Sequence, residues 1–267
     1  MAVVLHLVSP NGDHEKNLDW SLASSDYLKH RNGYPDSFFR LLREIGIGLP
    51  GQRILDMGVG TGALAIPFAR QGAQVIGVDI AEGQIEACRS RAQELDLYVD
   101  LRVARAEATG LPSASIDIVA ASMVWAALDK DSAASEVSRL LAPGGKLLIS
   151  SVNWVAIPGS LSARTKALMG RYNPAMRRMV DEKIDIEMLP PEVRSAFRLQ
   201  TYHYYLSTMN FSKESWRGCV RASKWISPAL PLDVVQAFDS EHAELLASET
   251  EPLQIEYLVR LSIFTRI

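Results

Sequence analysis

Cysteine is nearly absent. Cys88 and Cys219 are the only two among 267 residues, they lie far apart, and neither stands at metal-ligand spacing from another thiol. A disulfide framework and a thiolate metal site are therefore excluded, no metal is expected, and two reduced thiols point to a cytoplasmic protein. No apolar run approaches the roughly 20 residues needed to cross a bilayer, so no membrane partner is expected. The opening stretch from Met1 to Pro10 has a short apolar segment but no basic region and no long hydrophobic core, so no signal peptide is expected. Dense basic clusters are missing as well. Twenty-eight basic against 31 acidic residues leave a net charge of −3, which disfavours nucleic acid as a partner.

What is present is one turn around which the chain is organised. Residues 53–62, Arg-Ile-Leu-Asp-Met-Gly-Val-Gly-Thr-Gly, run from a short apolar strand into three glycines and then into a helix-like stretch. Gly58 and Gly60 remove Cβ atoms where backbone must lie against a ligand, and Gly62 opens the helix without crowding the strand. A second apolar run over residues 73–78 ends in Asp79, whose carboxylate suits the two hydroxyls of a ribose.

The spacing Gly58-x-Gly60-x-x-Ala63 also satisfies a dinucleotide fingerprint, which makes a nicotinamide-dependent oxidoreductase the rival reading. Asp56 weighs against it. An acid two residues before Gly58 would face the pyrophosphate of a dinucleotide, whereas it suits the ammonium group of S-adenosylmethionine, which carries no phosphate.

These residues carry a resemblance. Ile54-Leu-Asp-Met-Gly-Val-Gly-Thr-Gly62, Val75-Ile-Gly-Val-Asp-Ile80, Ala106-Glu107, Leu111-Pro112 and Leu140-Leu-Ala-Pro-Gly-Gly145 together resemble the class I S-adenosylmethionine-dependent methyltransferases. The likeness is strong over about residues 20–150 and loose beyond. It is closest to the small-molecule branch with the ubiquinone-biosynthesis and trans-aconitate enzymes.

The resemblance implies an α/β fold with a doubly wound, seven-stranded Rossmann-like sheet, its last strand antiparallel, and an inserted cap over the site. It divides the chain into a flexible lead-in at 1–19, a cofactor-binding core at 20–152, a cap at 153–199 and a closing segment at 200–267. It implies a methyl acceptor that is a small apolar or aromatic metabolite, methylated at O, N or C, with S-adenosylhomocysteine as product; the sequence does not give the oligomeric state, monomer or homodimer.

Site residues follow from the same likeness. Tyr27 and Arg31, four apart and on one helical face, are expected over the cofactor, the arginine meeting its carboxylate. Asp56, Gly58, Gly60, Asp79 and Ile80 form the cradle, Ala106 offers its backbone N–H to the adenine beside Glu107, and Ser122 lies at a strand end facing the crevice. Tyr34, Trp125, Tyr202 and Trp216 are expected to line the acceptor pocket. Among the histidines, His203 is the leading general-base candidate near neutral pH, with His30 next.

Two positions depart from the family pattern. Arg105 stands where relatives often carry an acid, and Ala126 follows Trp125 where many carry a histidine. These departures keep open a third reading, a non-catalytic S-adenosylmethionine-binding protein of the same fold.

Overall fold

The computed structural model describes residues 33–178 and 196–267, together with Asp26 and His30. Seven strands form one sheet in the order β3-β2-β1-β4-β5-β7-β6. They are β1 (Arg53–Met57), β2 (Gln74–Asp79), β3 (Asp100–Val103), β4 (Ile116–Ser122), β5 (Leu141–Trp154), β6 (Phe197–Phe211) and β7 (Leu253–Arg266). In β1 and β4 almost every residue is buried, the pattern of parallel strands covered on both faces. β1 pairs in parallel with β2 and β4, β2 with β3, and β4 with β5.

β7 runs the other way. Near its end Arg266 donates to the carbonyl of Leu141, the first residue of β5 (2.9 Å), whereas near its start the carbonyl of Glu256 accepts from Val155, just past the end of β5 (2.9 Å). A strand whose end meets its neighbour's beginning is antiparallel, so the sheet is parallel except for β7, as the family likeness implied. Strand order reverses between β1 and β4, and ligands in such sheets bind outside the carboxyl ends of the strands at that point.

Two compact units divide the chain. The larger contains Gly33–Val152, Val259–Ile267 and, of the described residues between, 196–205. Its helices α1 (Asp36–Glu44), α2 (Ala65–Arg70), α3 (Glu82–Glu94) and α4 (Lys130–Leu140) alternate with the parallel strands. α1 starts after Pro35, which fixes φ at the helix entrance, and buries Phe38 and Leu42. α4 begins at Lys130, where the side chain of Asp129 accepts from the Ser132 N–H (2.9 Å) and caps it. The core of this unit includes Leu55, Met57, Val119, Trp125, Leu147 and Phe264.

The other unit contains 153–178, Leu206–Leu258, Asp26 and His30. Its helices are α5 (Leu161–Tyr172), α6 (Lys213–Arg221) and α7 (Leu232–Leu246). Ser212 caps α6 by accepting from the Ser215 N–H (3.0 Å), as its sequence predicts. At the centre of the unit Trp216 is fully buried, edge-on to Trp154 and Phe211, and its indole N–H donates to the Thr165 hydroxyl (3.2 Å). Thr165 also meets His242 Nε2 (3.3 Å), and burial holds that imidazole down to about 4, hence neutral at physiological pH. Arg221 grips Asp26 with two bonds of 2.7 and 2.9 Å and reaches Asp239 at 2.6 Å.

A buried acid ties α4 to the loop before β4. Glu136 accepts from the Thr109 N–H and hydroxyl (2.9 and 2.6 Å) and from Arg139 Nε and Nη2 (both 2.8 Å). The Arg139 bond, more than burial opposes it, holds the Glu136 carboxyl down at about 2. Its contribution is therefore fully present above the ordinary carboxylate value near 4.5 and is lost as pH falls toward 2. Glu136→Gln is expected to lower stability by at most about 3 kcal/mol at pH 7 and by almost nothing near pH 2. Urea unfolding of both proteins across that range checks this; a pH-independent difference would contradict it.

Candidate active site

The carboxyl ends of β1, β2 and β4 gather the cradle within the larger unit. β1 leaves the sheet at Met57 and enters the glycine turn, which is pinned from below: the N–H groups of Gly58 and Val59 both donate to the Val78 carbonyl at 2.9 Å. Gly58 has φ +68°, and a Cβ there would stand 2.7 Å from Val124, so the turn and the loop after β4 pack without room for a side chain. Gly62, at φ +82°, meets Cys88 in the same way, its Cβ position 2.6 Å from the sulfur, which seats the turn on α3.

Asp79 closes the cradle. One carboxylate oxygen accepts from the Gly60 N–H (3.0 Å) and the other from the Ala81 N–H (2.9 Å), so it ties the turn to the start of α3. Each oxygen keeps a second lone pair for a ribose hydroxyl. Beside it Ile80 is 57% exposed, an apolar surface in the open at a strand end, where a flat base can stack.

Asp56 lies under the turn with only 3% of its surface exposed, and its Oδ2 has no hydrogen-bond partner among the described residues. Burial pushes its carboxyl up to about 8; the Ala65 N–H bonded to it pulls the other way, and the negative charge of Asp79 adds to the rise. A buried acid lacking a cation is a site prepared for one.

The remaining expected residues divide. Ala106 is buried in the core, and Glu107 is engaged by the chain, accepting from the N–H of Asp129 beyond β4 (3.1 Å) and pairing with Arg105 in its own loop (3.5 Å). The Ser122 hydroxyl is bonded to that of Ser150 (2.6 Å), and Trp125 is buried with its indole N–H unpartnered among the described residues. Between them Met123 takes a left-handed conformation (φ +63°), and its sulfur accepts from the Val152 N–H (3.1 Å), ending β4. Tyr34 stacks on Phe38 with ring centres 4.7 Å apart.

Tyr202 and His203 lie on β6, the edge strand. The Tyr202 hydroxyl is buried without a partner among the described residues, and His203 Nε2 lies 3.1 Å from the Thr201 hydroxyl. Three strand spacings, roughly 14 Å, separate β6 from β4 across the sheet. Trp216 belongs to the core of the other unit, where His30 is also buried. Tyr27 and Arg31 lie outside the described residues. One polar group went unnoticed in the sequence: Gln84, near the start of α3, has a buried Oε1 that lacks a partner among the described residues. Its position just after the ribose-type acid is the only sequence signal for it. Among those residues no three His, Cys, Asp or Glu side chains gather as a metal site.

Residues 55–149 match the family model described as a methyltransferase domain. The chain is 37% identical over 114 residues to the ubiquinone biosynthesis O-methyltransferase of Ruegeria pomeroyi, covering 42% of this chain and 46% of that protein. It is 32% identical over 151 residues to the namesake enzyme of Hahella chejuensis, covering 52% and 63%. It thus spans about half the length of the curated relatives it matches. A solved structure from Anaeromyxobacter dehalogenans with a provisional type II methyltransferase assignment superposes with a TM-score of 0.65 at 21% identity, over 87% of this chain and 97% of that one. That likeness shows the fold. Strand order, glycine turn and matched family model agree, and residues 55–149 form a methyltransferase domain.

Proposed function

We propose that this protein transfers a methyl group from S-adenosylmethionine to a small apolar or aromatic metabolite, at oxygen, nitrogen or carbon. The observation that carries the reading is Asp56. A buried carboxyl with an oxygen unpartnered among the described residues lies beneath the glycine turn, and its chemistry matches the ammonium of the cofactor's amino-acid end, which stabilises the charged form. Asp79 suits the ribose hydroxyls and Ile80 the adenine face.

When bound, the cofactor supplies a methyl group on a sulfonium, open to in-line displacement. The chain's own contribution is to hold that group and the acceptor together and keep water out, which accounts for most of the rate in such displacements. Val124, packed on Gly58, and the half-exposed Met123 form an apolar rim at this end of the sheet. Oxygen is favoured as the methylated atom by the curated relatives, which are O-methyltransferases over the matched half. His203 is the base candidate of this reading. Its place on β6 means that a proton-accepting role requires an acceptor reaching that far from β4.

Calorimetric titration with S-adenosylmethionine and S-adenosylhomocysteine tests the donor. Wild type is expected to bind both, and Asp79→Ala to lose at least tenfold in affinity through the lost ribose contact and the loosened turn. Binding of NAD or NADP in place of either ligand would defeat the reading.

A second outcome follows from Asp56. With its carboxyl near 8 the free protein holds it protonated at pH 6, and an incoming ammonium stabilises the charged form, so binding expels a proton. Affinity for S-adenosylhomocysteine is expected to rise from pH 6 toward 8, with proton release visible as a difference in heat between phosphate and Tris buffers. Asp56→Asn should abolish that difference; an equal heat in both buffers for wild type would contradict the assignment.

A further inference from the structure

Next to the glycine turn stands a second buried acceptor without a donor. Gln84 is the third residue of α3, and its Oε1 is shielded from solvent and has no hydrogen-bond partner among the described residues. At this helix position Gln or Glu ordinarily reaches back to the N–H of the residue before the helix. That residue is Ala81, and its N–H is already taken by Asp79 at 2.9 Å. The usual local partner is thus occupied, and the amide oxygen is left turned toward the cradle, 3.9 Å from where a Cβ on Gly60 would sit.

Burying an acceptor without a donor is unfavourable, and since no described residue supplies one, a ligand in the cradle is the natural donor. The groups around it narrow the choice. Gly60 and Ala81 give their N–H groups to Asp79, whose two oxygens each retain one free lone pair. A ligand presenting hydroxyl groups to Asp79 therefore presents them beside Gln84. A neutral amide oxygen accepts from a hydroxyl but gains nothing from a phosphate oxygen, which has no proton to donate.

We infer that Gln84 is a cofactor-binding residue whose Oε1 accepts from one ribose hydroxyl of the nucleoside while Asp79 accepts from the other. The inference rests on the S-adenosylmethionine reading above. It adds a second ribose contact and a filter against nucleotides phosphorylated on that sugar.

A chemical double-mutant cycle tests it, with S-adenosylhomocysteine and its 2′-deoxy and 3′-deoxy forms as calorimetric probes against wild type, Gln84→Met and Gln84→Glu. Methionine keeps the length and helix preference of glutamine without an acceptor, and thermal melting establishes that each variant is folded. Gln84→Met is expected to bind S-adenosylhomocysteine about tenfold more weakly, and removal of one of the two hydroxyls should then cost it nothing further. Wild type and Gln84→Glu should both be penalised by that deoxy ligand. Equal affinity of wild type and Gln84→Met, or an undiminished deoxy penalty in Gln84→Met, would overturn the inference alone. Failure of wild type to bind S-adenosylhomocysteine would overturn the cofactor reading and this inference with it.

Discussion

Everything at the carboxyl end of this sheet depends on the bridge made by Asp79. Two backbone N–H groups from different segments, Gly60 and Ala81, converge on one carboxylate. Without it the glycine turn loses the hydrogen bond at Gly60 and keeps those to the Val78 carbonyl and from Arg91 to Thr61, and α3 starts uncapped, since its N-cap Ala81 has no side chain able to accept. The same bridge uses up the N–H that Gln84 would otherwise reach for, so structural and binding roles are joined in one residue.

Desolvation acts in the opposite sense one strand away. Asp56 is kept from water, and its Oδ2 has no partner among the described residues, at a cost the rest of the fold sustains. Local instability of this kind gathers at functional sites, because a ligand of the right charge relieves it. The protein thus holds two acids within one cradle in contrasting states, one satisfied by backbone and one waiting.

Much of this was legible in the sequence, and the boundary is physical. The strands β1 and β2 are visible as apolar runs because they are largely buried, and Asp56, the glycines and Asp79 are visible because the turn needs those residue types at those spacings. The partners that define each role were hidden. Ser122 is bonded to Ser150 and Glu107 to the backbone of Asp129, pairings across 28 and 22 residues that no local pattern encodes. Trp216 is expected from the sequence in the acceptor pocket, yet the indole is enclosed with Thr165 at hydrogen-bond distance, a burial that spacing along a helix does not reveal.

The antiparallel β7 has a consequence for how the sheet is assembled. It is the last strand along the chain, yet it sits between β5 and β6 in the finished order. Until it arrives, the five parallel strands end at β5 with an open edge, and β6 has no neighbour to pair with. Closing the sheet is thus a long-range event in which the final strand is inserted between two that precede it, the kind of non-local step that slows folding and leaves unpaired edges open to aggregation until it is done.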